Sequence, residues 1–213
     1  MSDTYARIAE EIMLLVAQSE RSSQILIGIA GPPGGGKSTT AEQVHLRIPN
    51  SVVVPMDGYH FTKEKLRQFP DPEAALARRG AHWTFDGEAF VAALRNLREQ
   101  KRGVFPAFQH GVGDPVDGAI TVNNPEVHKV VIIEGNYLTL DVAPWDQITG
   151  ILDYTYFIDC DIEVVEQRVL KRHMAVNGNT YERALERVTL NDLPNAQLVL
   201  QSKHRANAII QSV

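Results

Sequence analysis

Cysteine is nearly absent: Cys160 is the only one in the sequence. No disulfide can form within the chain, and the residue reads as a small core hydrophobe near a strand end, in a reducing compartment. No run of about 18 apolar residues occurs, which excludes a membrane-spanning helix. The opening MSDTYARIAEEIMLLVAQ is acidic and amphipathic rather than a basic segment leading into an apolar one, so no secretion signal and a cytoplasmic location are expected. Basic residues are in deficit, 21 against 26 acidic ones for a net charge of −5, which speaks against nucleic acid or an anionic membrane as the main partner. Internal repeats and low-complexity segments are missing. His45, His82, His128, His173 and His204 show no metal-ligand spacing such as H-E-x-x-H and are expected at the surface or in the core, with Trp83 and Trp145 as packing residues.

Apolar residues make up 44% of the chain, enough for one core, and residues 1–213 are expected to form a single domain. Tyr5, Ile8, Ile12, Leu15 and Val16 recur at helical spacing. Four short, continuously apolar runs, 25–30, 51–56, 129–135 and 154–160, predict strands buried on both faces, and the tail ANAIIQSV supplies a fifth. Helices are predicted between them. One runs over 38–48; another, over 162–176, is capped by Asp161 and stopped at Asn177-Gly178; a third, over 181–191, ends near Pro194. Asp71, followed by Pro72, and Asp86 are further N-caps. Proline, glycine and asparagine punctuate VFPAF and AITV within 103–128, which predicts a small antiparallel flap. The alternation defines an α/β protein of three layers: a five-stranded, mainly parallel sheet with helices on both faces.

Between the first strand and its helix lies GPPGGGKS, Gly31 to Ser38, which fits G-x-x-x-x-G-K-[ST] in the context that motif requires. Glycines let successive backbone N–H groups turn inward on phosphate oxygens, and the helix start adds the positive end of its dipole. Gly31, Pro32, Pro33, Gly34, Gly35, Gly36, Lys37, Ser38 and Thr39 are therefore the candidate ATP-binding residues. Lys37 reaches the β- and γ-phosphates, and the Ser38 hydroxyl is a Mg²⁺ ligand. Such loops serve motors, switches and kinases alike. Neither N-K-x-D nor D-x-x-G occurs, which argues against a guanine-nucleotide switch.

Ligands of open α/β sheets bind beyond the carboxyl ends of the strands. Asp57 follows VVVPM there, and Glu134 follows VVII. One such acid can accept a proton from an acceptor hydroxyl while the other organises Mg²⁺; Asp57, in MDGYHF, is the candidate general base.

The segments GPPGGGKST, VVPMDGYHF, RRGAHWTFD, FPAFQHGVGDPV, VVIIEGNYL and RVLKRH resemble, in order and spacing, the phosphoribulokinase, uridine kinase and bacterial pantothenate kinase family. The chain is most similar to small bacterial members named provisionally as nucleoside/nucleotide or fructose transport system kinases. The resemblance runs from about residue 20 to the C-terminus. It implies a parallel-sheet kinase fold and ATP–Mg²⁺-dependent transfer to a hydroxyl of a small metabolite, with Asp57 as the catalytic aspartate and Glu134 as the acid of the second nucleotide motif. It also implies a lid, about 165–192, in which Arg168 and Arg172 lie one helical turn apart and close over the phosphates; a solvated basic face with Glu163 and Glu166 is the alternative. Tyr59, His60, Arg78, Arg79, Phe108, His110 and Asn195 correspond to acceptor-side segments, although a helix-cap role is equally open for Asn195. Phe108 and Gln109 stand where the family often has tyrosine and an acid, which leaves a sugar, a pantothenate-like molecule and a nucleoside all open as acceptors. Relatives often dimerise. An ATPase and a nucleotide-sensing module without turnover are rival functions; the two strand-end acids favour a kinase over both.

Overall fold

The apolar runs pair side by side, as their two-faced hydrophobicity requires. The computed structural model describes residues 2–109, 111–178 and 180–212. Its strands are β1 (Ile25–Ala30), β2 (Ser51–Pro55), β3 (Gly103–Gln109), β4 (Asp114–Val122), β5 (Val130–Gly135), β6 (Tyr154–Asp159) and β7 (Ala208–Gln211). Its helices are α1 (Ser2–Gln18), α2 (Lys37–His45), α3 (Lys63–Leu66), α4 (Pro72–Ala77), α5 (Gly87–Gln100), α6 (Ile162–Asn177), α7 (Tyr181–Arg187) and α8 (Leu193–Gln201).

Five strands form one sheet in the order β2-β5-β1-β6-β7, and every pairing in it is parallel. The antiparallel pairing is confined to β3 and β4, the predicted flap. β1 and β5 are buried along their whole length, because each is covered from both sides. Alternate residues serve opposite layers: Ile27, Ile29 and Ile132 pack with Ile8, Ile12, Ala41 and Val44 of α1 and α2, whereas Leu26, Val131 and Ile133 pack with Phe90, Leu94, Trp145 and Val199. No helix among the described residues is long and apolar enough to cross a membrane.

Helix ends follow the sequence in part. The Asp71 and Asp86 carboxylates accept hydrogen bonds from the backbone N–H of Ala74 and Ala89, at 2.9 and 3.0 Å, and α6 ends on Gly178 in the left-handed region. Asp161 makes no capping bond, so its charge helps α6 only through the helix dipole. Pro194 does not end a helix. It lies in the first turn of α8, directly after a π-helical turn, Val188–Asp192, that continues from α7. A proline donates no N–H and crowds the carbonyl four residues back, and a widened turn just before it relieves both problems.

The flap folds onto the segment after β2. Its register slips between Phe105 and Ala107, where Pro106 cannot donate to the ladder. The 3₁₀ turn Met56–Tyr59 lies beneath it. A methyl group on Gly58 would stand 2.2 Å from the Pro106 carbonyl oxygen, a backbone atom that cannot step aside alone. Gly58→Ala is therefore expected to destabilise the protein by about 1–3 kcal/mol and lower Tm by roughly 2–10 °C. A calorimetric melt indistinguishable from wild type would show that the flap is not seated there.

Candidate active site

β5 lies between β1 and β2, and this position assembles the site. Ile29 of β1 and Pro55 of β2 both pair with Glu134. The chain leaving β1 becomes the glycine loop, and the chain leaving β2 reaches Asp57 two residues later. Three segments distant in sequence thus end side by side at the carboxyl edge of the sheet.

Gly34 and Gly36 have φ of 70° and 97°, the left-handed region in which a β-carbon is strained. Their conformation curls the loop into the start of α2, and Lys37 is the first residue of that helix. Its ammonium is buried and donates to the Pro32 carbonyl at 2.9 Å. Burial pulls its pKa below the ordinary lysine value, opposed by the charges of Glu134 and Asp57, while Arg172 adds to the lowering.

Glu134 is buried as well, and burial, then the neighbouring Asp57, push its pKa up to about 7, against the pull of Lys37 and of a hydrogen bond from Ser38. The sign for stability follows. With a folded pKa above the unfolded value, Glu134 binds its proton more tightly in the folded state, so its stabilising contribution is complete below about pH 4.5 and is lost as pH rises through 7. Chemical denaturation of the ligand-free protein at pH 5 and pH 7.5 is expected to show a loss that Glu134→Gln largely removes, on the order of 2–3 kcal/mol. The same pH dependence in both proteins would mean that Glu134 is not the titrating group.

Lys37, Ser38, Asp57, Glu134, Arg168 and Arg172 line one cavity of about 350 Å³. Among the described residues no cluster of three His, Cys, Asp or Glu side chains forms a self-contained metal site. The Ser38 hydroxyl and the Glu134 carboxylate nevertheless fit Mg²⁺, an ion that takes few protein oxygens and completes its octahedron with phosphate and water. A divalent charge there would also relieve the crowding of Glu134 by Asp57.

A second cavity, about 290 Å³, lies on the other side of the loop and shares Gly34, Gly36, Thr39 and Arg168 with the first. Arg168 joins them: its Nη1 donates to the Gly34 carbonyl at 3.3 Å and to the Ser212 hydroxyl at 2.8 Å. Ser212 in turn donates to the Gly35 carbonyl at 3.0 Å. Nothing in the sequence around Ser212, or around Thr4 and Tyr5 of α1, which also line this cavity, marks them for such a place. The available signal was topological: a fifth strand beside β6 had to deliver the residues after it to the loop.

The acceptor-side candidates separate into groups. His60 Nδ1 donates to the Asp57 carbonyl at 2.9 Å. Its ring lies between Phe85 and Phe108, with centroids 3.9 and 4.9 Å away, and burial depresses its pKa. Tyr59 turns into the core against Phe90; burial and Asp86 raise its hydroxyl to about 12. Arg79 is occupied structurally, paired with Asp114 at 2.6 Å and donating to the carbonyls of Phe61 and Gly113, while its guanidinium lies over Phe108. Arg78 and the buried Asn195 are hydrogen-bonded to each other at 3.4 Å, and Asn195 lies inside α8, whose N-cap position is Asp192. His110 lies outside the described residues. Trp145 is buried as expected, whereas Trp83 is 41% exposed and packs only against Phe69 among the aromatic rings of the described residues.

A parallel sheet in this order, with a phosphate loop and two acids on adjacent strands, defines a P-loop kinase. The comparisons agree. Residues 26–213 match the model of the phosphoribulokinase/uridine kinase family, and the chain belongs to that family. A candidate uridine kinase of Schizosaccharomyces pombe is 35% identical over 204 residues, covering 91% of this chain and 86% of its own length. An ATP-dependent kinase-like protein of Aspergillus versicolor is 35% identical over 154 residues, 70% of this chain and 88% of its own. The crystal structure of a candidate fructose transport system kinase from Silicibacter sp. TM1040 superimposes with a TM-score of 0.86 at 30% identity, covering 97% and 98% of the two chains.

Proposed function

We propose that this kinase transfers the γ-phosphoryl group of ATP, with Mg²⁺, to a hydroxyl of a small metabolite. The observation that carries the reading is the convergence of Lys37, Asp57 and Glu134 in one cavity at the edge of the sheet. The loop amides and Lys37 hold the phosphates, and the nucleoside end lies in the second cavity, beyond Arg168. Asp57 accepts the proton of the acceptor hydroxyl as its oxygen bonds to the γ-phosphorus and the bond to the β,γ-bridging oxygen breaks, releasing ADP. His60, donating to the Asp57 carbonyl, fixes the backbone that presents this carboxylate. Lys37, Arg168 and Arg172 offset the charge that develops on the transferring group. Ser38 and Glu134 would hold Mg²⁺, which neutralises the phosphate oxygens when bound.

The test is ADP release at fixed ATP and Mg²⁺ across sugars, nucleosides and vitamin precursors. One acceptor is expected to raise the rate saturably, with phosphate recovered on its hydroxyl. Equal ADP release with and without every acceptor, and inorganic phosphate as the product, would make the protein an ATPase.

A further inference from the structure

Gly34, Gly35 and Gly36 carry no side chains that could hold the phosphate loop in shape. A peptide between glycines rotates at little steric cost, so groups outside the loop must fix which way its carbonyls face. Two elements beside the loop supply them. The loop lies against α6, where a methyl group on Gly34 would stand 2.9 Å from Val169 Cγ2, and Arg168 of that helix donates from Nη1 to the Gly34 carbonyl at 3.3 Å. Ser212, the residue after β7, donates to the Gly35 carbonyl at 3.0 Å and accepts from the same Arg168 Nη1 at 2.8 Å. Its hydroxyl thus acts as donor and acceptor at once, on two partners that are 177 and 44 residues away.

The sheet holds Ser212 in place before its side chain acts. Gln211 pairs with Asp159 of β6, and the Ser212 N–H donates to the Asp159 carbonyl at 2.7 Å. In a planar trans peptide the carbonyl and the following N–H point in opposite directions. Drawing the Gly34 carbonyl toward Arg168 turns the Gly35 N–H the other way, where it donates to the Pro32 carbonyl at 3.0 Å. Drawing the Gly35 carbonyl toward Ser212 likewise turns the Gly36 N–H away from the tail, at a residue that lines the cavity of Lys37 and Glu134. Arg168 gains as well. Its Nη1 lies 3.8 Å from the Cys160 sulfur, a weak acceptor, and of these three contacts the one to Ser212 is the shortest. A hydrogen bond from a cation is the stronger kind, so Ser212 governs where this guanidinium stands between the two cavities that it lines.

We propose that Ser212 is a positioning residue of the nucleotide site: its hydroxyl fixes the Gly35–Gly36 peptide for phosphate binding and holds Arg168 where it meets the transferring group. The inference rests on the kinase reading above and extends it to the last strand of the sheet. The two effects are separable. The peptide acts on ATP as soon as it binds, whereas Arg168 acts on charge that develops during transfer.

Ser212→Ala, Ser212→Thr, Arg168→Ala and the Ser212→Ala/Arg168→Ala double variant test it, with thermal melts verifying that each folds. ATP–Mg²⁺ affinity is measured by calorimetry, and kcat with the acceptor that raises ADP release. Ser212→Ala is expected to weaken ATP–Mg²⁺ binding about tenfold and to lower kcat about fivefold or more, while Ser212→Thr, which keeps the hydroxyl, stays within about twofold of wild type in both. In the Arg168→Ala protein, Ser212→Ala should change kcat less than about twofold yet still weaken ATP binding, because only the kcat effect runs through the guanidinium. Wild-type affinity in Ser212→Ala would overturn the hold on the loop. Equal losses in Ser212→Thr and Ser212→Ala would make the residue a packing contact, and equal kcat losses in both backgrounds would overturn the link to Arg168. ADP release that no acceptor raises would overturn the kinase reading, and calorimetry would still decide whether Ser212 holds the loop.

Discussion

Lys37→Ala is expected to lower acceptor-dependent turnover at least about a hundredfold, a loss of several kcal/mol of transition-state stabilisation. Lys37 opens α2 at the mouth of the phosphate loop and is held, buried, against the Pro32 carbonyl at 2.9 Å. Burial has already removed most of its water, so its charge is available to phosphate oxygens at low dielectric, without reorganisation at the moment of transfer. Its loss also removes a buried cation whose charge acts on Glu134 and Asp57, which favours protonation of Glu134 and weakens any Mg²⁺ held there. ATP affinity should therefore fall together with kcat. Steady-state kinetics at saturating nucleotide provides the measurement, and kcat within about threefold of wild type would remove Lys37 from the phosphate site.

For Asp57→Asn, transfer is expected to fall about 10²–10⁴-fold while ATP binding changes little. The amide keeps the size and shape of the carboxylate but cannot take the acceptor proton. Lys37, Ser38 and the loop amides, which hold the nucleotide in the proposed mechanism, remain in place. Calorimetry of ATP–Mg²⁺ binding and acceptor-dependent turnover, measured on one preparation, separate the roles open to this residue. A fall in affinity matching the fall in rate would make Asp57 chiefly a metal-organising group. Unchanged turnover would make it only the residue that ends β2. Asparagine also removes the charge that helps to raise Glu134 above the usual carboxylate range, so the variant should bring the pKa of Glu134 down.

Much of this architecture was legible residue by residue. The runs around Ile27, Ile132 and Phe157 are continuously apolar, a pattern that a strand covered on both faces must have; the run around Val53 has the same pattern, yet β2 lies at the sheet edge and is only partly buried. The glycines between β1 and α2 matter because their backbone is needed left-handed, and the lysine and serine follow because a phosphate must be met where the helix begins. Asp57 and Glu134 could be placed at one edge because each directly ends an apolar run, and parallel strands share a carboxyl edge.

The same reading placed Arg79 and Tyr59 with the acceptor residues, but which groups they meet could be known only from the tertiary structure. Arg79, just after α4, pairs with Asp114 at the start of β4, and Tyr59 packs into the core. Pro194 looked like a helix end because its missing N–H is a local fact. The π turn that lets the chain continue depends on how α7 and α8 pack.

The sequence by itself determined the strands, most of the helices, the phosphate loop and the shared edge, because these depend on hydrophobic period, backbone freedom and the residues next to one another. Only the tertiary structure decided the strand order that sets β5 between β1 and β2, the return of Ser212 to the loop, and the division of labour between two adjacent arginines. Each of these depends on which distant group arrives beside a side chain. Arg79 meets a carboxylate 35 residues away and is neutralised, whereas Arg78 meets two asparagines more than 110 residues away and keeps its charge.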